Sequence, residues 1–206
     1  MHLDRLDDNP FGTNCWIVAA DGSEDALIVD PGFFADRILQ AVRDAGKRPV
    51  AVLATHGHGD HIGQAAAVGA TGIPVHIHEA DALVFDDAAA WGSGFPMQPD
   101  RPADLRTFVD GDVLQYAGFA LQVLHTPGHT PGSVCFVTDG FVFSGDLVFQ
   151  GTIGRSDLPN SSPEDMEKSL VRFLELPDEL DVYPGHMGST TVGRERVLNP
   201  FLAALS

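Results

Sequence analysis

The chain has 206 residues, enough for one domain and too few for two well-cored ones. Hydrophobic residues make up 44% and charged ones 20%, the balance of a globular protein rather than a disordered or fibrous chain. Acidic residues outnumber basic ones 29 to 12, and a net charge of −17 repels phosphate backbones and anionic headgroups, so a general nucleic-acid binder is excluded. Cys15 and Cys135 are the two cysteines, too few for a disulfide framework and without Cys-x-x-Cys spacing. The start, Met1 to Pro10, holds Asp4, Arg5, Asp7 and Asp8 and lacks the apolar core of a secretory signal. No apolar run approaches the roughly 18 residues of a spanning helix. The expectation is a cytoplasmic protein with no membrane partner.

In chain order, Thr13 to Ala19 is β-branched and aromatic, turns at Asp21-Gly22 and resumes at Ala26 to Val29, a hairpin pattern. Phe34 to Ala45 has apolar residues at the three-and-four spacing of a one-sided helix that ends at Gly46. A strand at Val50 to Ala54, a histidine-rich loop, an alanine-rich helix near Gln64 to Val68, a strand at Pro74 to Ile77 and a helix from Glu79 to Phe85 follow. Asp86 to Asp104 has no stable period and reads as a long surface loop whose Trp91, Phe95 and Met97 either line a pocket mouth or plug the local packing. Strands then dominate, at Ala120 to Leu124, Ser133 to Thr138 and Phe141 to Ser144. Ser162 followed by Pro163 and Asp165 caps a helix running to Leu174. A strand at Asp181 to Tyr183 and a helix near Gly193 to Leu198 close the chain. Strands and helices alternate without a strict βαβ rhythm, which fits helices covering a pair of packed sheets.

Seven side chains suited to metal ligation fall just after expected strand ends: His56, His58, Asp60, His61, His129, Asp146 and His186. In Thr55-His56-Gly57-His58-Gly59-Asp60-His61, residues two apart on extended backbone face one way, so His56 and His58 can grip one ion while Asp60 and His61 reach a second. His129 lies in a turn flanked on both sides by Pro and Gly. Two divalent cations, two carboxylates and one bridging hydroxide sum to about +1 with neutral histidines, an electrophilic site. Imidazole and carboxylate donors suit zinc, iron or manganese, and the lack of thiolate argues against copper(I) or a closed structural zinc site. His76, His78 and His125 lie in or beside strands and read as structural or exposed, and Cys15 and Cys135 as small buried apolar residues. The His-Glu-x-x-His helix and the Gly-x-Ser-x-Gly elbow are both absent.

Thr-His-x-His-x-Asp-His, the later His-Thr-Pro-Gly-His-Thr, Ser-Gly-Asp and Pro-Gly-His resemble, in order and over most of the chain, the metallo-β-lactamase superfamily. The resemblance implies an α/β fold, a four-layer αβ/βα sandwich forming a single domain over residues 1–206. It implies a first ion on His56, His58 and His129, a second on Asp60, His61 and His186, and Asp146 bridging. Thr13-Asn14-Cys15, Ile28 to Gly32, Gly151 to Pro159 and Asn199-Pro200-Phe201 look most like short glyoxalase II-like hydrolases, the hydroxyacylglutathione hydrolases. The helical C-terminal domain that helps full-length members hold glutathione is expected to be missing, because the chain ends at Ser206. Arg155 matches the family's basic position near the thioester carboxylates, whereas Asp157 stands where its binding tyrosine would be; Arg155 either contacts substrate or pairs locally with Asp157.

The resemblance, with the ligand set, implies hydrolysis of a small-molecule thioester, such as a 2-hydroxyacyl thioester, on two divalent ions, zinc first, with iron or manganese as alternatives. Asp60 and Asp146 are the expected catalytic carboxylates, Asp60 orienting the nucleophile. Persulfide dioxygenases resemble the same scaffold but use one iron on the counterparts of His56, His129 and Asp146. A lactonase or other hydrolase of this fold, and a metal-binding partner protein without turnover, are further readings. The oligomeric state is not encoded in these patterns.

Overall fold

The computed structural model describes residues 1–91 and 98–205, apart from the side chains of Ala90 and Trp91. Two six-stranded sheets face each other. The first runs β1 (His2–Leu6), β2 (Cys15–Ala19), β3 (Asp25–Val29), β4 (Arg48–Leu53), β5 (Val75–His78) and β6 (Leu105–Phe108) in that order. Strands β1 to β3 pair antiparallel, and β3 to β6 pair parallel. The second sheet is built from β7 (Val113–Tyr116), β8 (Phe119–His125), β9 (Val134–Val137), β10 (Phe141–Gly145), β13 (Asp181–Pro184) and β14 (Thr190–Thr191). Its order is β14-β13-β10-β9-β8-β7, with only β10 and β13 parallel. Between β10 and β13, β11 (Val148–Phe149) and β12 (Thr152–Ile153) form a two-stranded ribbon.

Period-two alternation explains the layers. In β2, Trp16 and Val18 join Leu27, Leu53, Leu121, Phe136 and Phe143 between the sheets, while Cys15, Ile17 and Ala19 point the other way, toward helices. Because both faces are covered, central strands read as continuous apolar runs, the pattern of a doubly covered sheet. α1 (Ala35–Asp44) buries Ile38 and Val42, and α3 (Ala65–Gly69) buries Ala65 and Val68, on the outer face of the first sheet. α5 (Pro163–Phe173) buries Met166, Leu170 and Phe173 against Cys135, Val142 and Val182 of the second. The order is therefore helix, sheet, sheet, helix, the four-layer sandwich expected. Ser162 caps α5 by accepting from the Asp165 amide at 3.2 Å.

Several elements depart from the sequence reading. β1 forms where Met1 to Pro10 shows no apolar core, because as an edge strand it needs only one half-buried face. Glu79 to Phe85 is helical over the bounds expected, in the tighter 3-10 form. The segment read as a loop from Asp86 to Asp104 contains α4 (Ala88–Trp91); Phe95, Met97 and the side chain of Trp91 lie outside the described residues. The His-rich stretch holds α2 (Gly59–Ile62), and the closing helix is α6 (Val192–Leu198), followed by α7 (Pro200–Ala203). Cys15 and Cys135 are buried free thiols, and burial raises both, Cys135 to about 12. No helix among the described residues is long and apolar enough to cross a membrane.

Candidate metal centre

Parallel strands end on the same rim, and here the rims of both sheets converge. His56 follows β4, His129 follows β8, Asp146 follows β10 and His186 follows β13. Turning abruptly into α2 after His58 carries Asp60 and His61 onto one helical turn beside them. All seven side chains meet there. Nδ1 of His58 lies 2.8 Å from Nε2 of His129 and 3.1 Å from Nε2 of His56. Nε2 of His61 lies 3.5 Å from Asp60 and 3.4 Å from Asp146, and Nε2 of His186 lies 3.5 Å from each of the same carboxylates. Asp146 also reaches Nε2 of His129 at 3.4 Å, so it stands between the two trios.

The opposite ring nitrogens set the tautomers. His129 donates through Nδ1 to the Arg155 carbonyl at 2.7 Å, and His186 through Nδ1 to the Gly12 carbonyl at 3.2 Å. Asp30 governs the other two. Its carboxylate accepts from Nδ1 of His61 at 2.9 Å and from the Thr55 hydroxyl at 2.6 Å; the hydroxyl, its proton thus committed, accepts from Nδ1 of His56 at 3.1 Å. In its neutral form each of these four rings is left with Nε2 as a lone-pair donor aimed into the site.

Divalent ions fit this set of nitrogen and carboxylate donors. Nε2 of His61 and Oδ1 of Asp146 are fully buried and lack any hydrogen-bond partner, a costly state for polar atoms unless a cation lies between them. Donor atoms of His56, His58 and His129 form one trio within 4.8 Å, and those of Asp60, His61 and His186 another. Space is made by glycine: a Cβ on Gly185 would sit 2.3 Å from Oδ1 of Asp146, and one on Gly32 only 1.5 Å from the Asp60 carbonyl oxygen.

Electrostatics divides the trios. Burial, then the neighbouring His129, pushes His58 down to about 3, and burial with its neighbouring rings holds His56 well below its ordinary value. Burial opposes charge on His61 as well, but Asp146, Asp60 and Asp30 outweigh it and lift the imidazole to about 10. His186 is raised in the same way, burial being overcome by Asp60 and Asp146. Asp60 falls well below the carboxylate range although burial opposes this, through His61, His186 and the Thr13 hydroxyl that donates to it at 2.9 Å.

The remaining sequence candidates are placed as follows. Arg155 pairs with Asp157 at 2.8 Å, both side chains about two-thirds exposed, while its carbonyl holds His129. His76 reaches the Tyr116 hydroxyl at 2.9 Å, and His78 stacks on His125 at 4.1 Å; none of the three belongs to a donor trio. Sequence reasoning assigned no role to Asp30 in the site and did not single out Asp81, although Asp30-Pro31-Gly32 closing a strand was a usable signal for the former. A pocket of about 130 Å³ borders Asp60, lined among others by Thr13, Asp30, Phe33 and Phe34.

This sandwich with its two-trio rim defines a class of metal-site proteins, and residues 8–186 match that class directly: the chain belongs to the metallo-β-lactamase superfamily. An uncharacterized protein of Aquifex aeolicus is 38% identical, covering 95% of this chain and 94% of its own. Hydroxyacylglutathione hydrolase GloC of Haemophilus influenzae is 34% identical over the whole of both chains. Among solved structures, the BLEG-1 B3 metallo-β-lactamase superposes with a TM-score of 0.88 at 34% identity, covering 98% of this chain and 99% of that one. TTHA1623 in a di-iron-bound form gives 0.83 at 37%, covering 98% and 100%. ETHE1 from Myxococcus xanthus gives 0.81 at 28%, covering 99% and 85%.

Proposed function

We propose that the protein hydrolyses a small-molecule thioester of the hydroxyacyl-glutathione type, using two divalent ions. The observation that carries this reading is the convergence of two complete donor trios around Asp146, supported by end-to-end similarity to GloC. When bound, such ions supply Lewis-acid polarisation of the acyl carbonyl and a nucleophilic water near neutral pH. His56, His58 and His129 would hold one, Asp60, His61 and His186 the other, and Asp146 would touch both. The chain's own groups do the rest. Thr13 and the two flanking imidazoles keep Asp60 ionised and oriented. Asp30 keeps both His56 and His61 in the tautomer that offers Nε2. Zinc is the first expectation for both ions, and the di-iron form of TTHA1623 supports iron as an alternative.

Arg155 is the proposed contact for an anionic end of the substrate, exchanging its exposed partner Asp157 for a carboxylate of the thioester. Replacing it with Ala should raise KM for an anionic thioester a few-fold with kcat nearly unchanged, the size of effect an exposed ion pair supports. An unaltered KM removes Arg155 from the binding site.

Likeness to ETHE1 supports a second reading, the persulfide dioxygenase with one iron on His56, His129 and Asp146. Such an enzyme would load only His56, His129 and Asp146, whereas the hydrolase would load both trios, so the number of ions bound separates the two. Metal analysis of anaerobically purified protein, with parallel assays of thioester hydrolysis and persulfide-dependent oxygen uptake, decides between them. Two ions and thioester turnover that chelation abolishes are expected; one iron with oxygen uptake would replace the hydrolase by the dioxygenase. A cytoplasmic location and a small-molecule substrate, with no nucleic-acid or membrane partner, complete the proposal.

A further inference from the structure

Asp81 lies fully buried in the 3-10 helix after β5. It belongs to neither donor trio. Its carboxylate nevertheless touches both loops that carry the three-histidine trio. Oδ2 accepts from the amide of Gly57, the residue between His56 and His58, at 2.8 Å. The same oxygen accepts from the hydroxyl of Thr130, the residue after His129, at 2.7 Å, and Oδ1 accepts from the Gly132 amide at 2.7 Å. Gly132 is required for this approach, since a Cβ there would sit 2.6 Å from the Asp81 carboxyl carbon. A buried carboxylate is costly unless several donors satisfy it, and these donors come from two loops more than seventy residues apart in sequence. The other trio is anchored differently, through Asp30 on His61 and Thr13 on Asp60.

We propose that Asp81 is a positioning residue selective for the ion on His56, His58 and His129, fixing the distance between the loop that bears the first two and the loop that bears the third. This rests on the reading that those histidines hold an ion. Asp81 enters no step of the reaction and acts through the spacing of its neighbours. Conservative removal of its charge should therefore weaken one ion and spare the other.

Asp81→Asn keeps the shape but turns an acceptor oxygen into an amide facing an N–H donor. Thr130→Val removes one donor and leaves the carboxylate intact, so it carries the test if the first variant does not fold. Each metal-free variant is titrated with cobalt(II), following visible absorption and ions bound per chain, with His58→Ala and His186→Ala as references for which ion is lost. Expected is a loss of about 10 to 100-fold in affinity for the ion that His58→Ala removes, as is usual when a ligand's support is taken away, with the other ion held within about threefold. Unchanged binding of both ions in Asp81→Asn and Thr130→Val overturns the inference. So does equal weakening of both, which would mark Asp81 as a general structural residue. If wild type itself binds fewer than two cobalt ions, the two-ion reading falls first and this inference with it.

Discussion

Individual donors make separable contributions, because the two trios share no side chain apart from the intermediate Asp146. His61→Ala or His186→Ala should lower bound metal from near two ions per chain to near one and cut thioester turnover by about 100-fold or more. Elemental analysis with circular dichroism on the same samples checks this; a variant that folds, holds one ion and turns over at the wild-type rate would contradict it. Protonation also separates the trios. In the ion-free chain the surrounding carboxylates overcome burial and hold His61 up at about 10, so it is charged near neutrality and must shed a proton before its Nε2 can bind metal; His186 is raised in the same direction. His56 and His58 are already neutral there. Affinity at the Asp60 trio should therefore climb as pH rises toward about 10, and its ion should release more protons at pH 7 than the other. Calorimetry in buffers of different ionisation enthalpy counts those protons, and equal release by both ions would refute the assignment. The seven side chains that converge on the rim stand out in the sequence because four of them crowd one short window and the rest follow Pro-Gly or Ser-Gly turns. Asp81 was not, and Asp30 only as part of a motif. Each is one acid among 29 Asp and Glu, and its role exists only through contacts with residues distant in the chain.

Strands and helices were readable where burial imposes a pattern. β2 is apolar throughout, and β3, β4 and β10 carry the apolar runs 26–29, 50–53 and 141–143, because both faces are covered there, and α1 and α5 show a clear apolar stripe. Edges were not. β1, β6 and β7 are short, partly exposed and studded with Asp, Arg, Thr and Gln, so pairing with a neighbour and not hydrophobicity makes them strands. The β11–β12 ribbon is likewise held from outside: Glu195 of α6 accepts the Gly151 amide at 2.7 Å, and Asn199 donates to the Thr152 carbonyl at 2.9 Å. α2 is a single turn whose place is set by backbone contact with the loop after β3. Gly32→Ala would drive a methyl into the Asp60 carbonyl, forcing the two segments apart. A loss of about 3 kcal/mol, or a fall of roughly 6–12 °C in Tm, should result, together with weaker metal uptake. Calorimetric unfolding beside metal titration tests it, and an unchanged Tm would mean that the contact relaxes freely.

The molecule as a whole is two sheets joined by an apolar interior, with each ion trio drawing on both. His56 and His58 come from the first sheet and His129 from the second; Asp60 and His61 come from the first and His186 from the second. Ions held there would thus act as rivets across the seam, adding a mechanical constraint to a joint otherwise held by side-chain packing. Stripping them with a chelator should let the sandwich breathe at that one edge. Amide hydrogens at the β4, β8 and β13 ends near the rim should exchange faster, while those at the opposite ends of the same strands keep their protection. Exchange mass spectrometry resolves the two ends, and uniform acceleration along the strands would argue against a seam that opens locally. A protein built this way would couple its proposed chemistry to its own cohesion: the rim that gathers the seven side chains would also be the edge that loosens when metal is scarce.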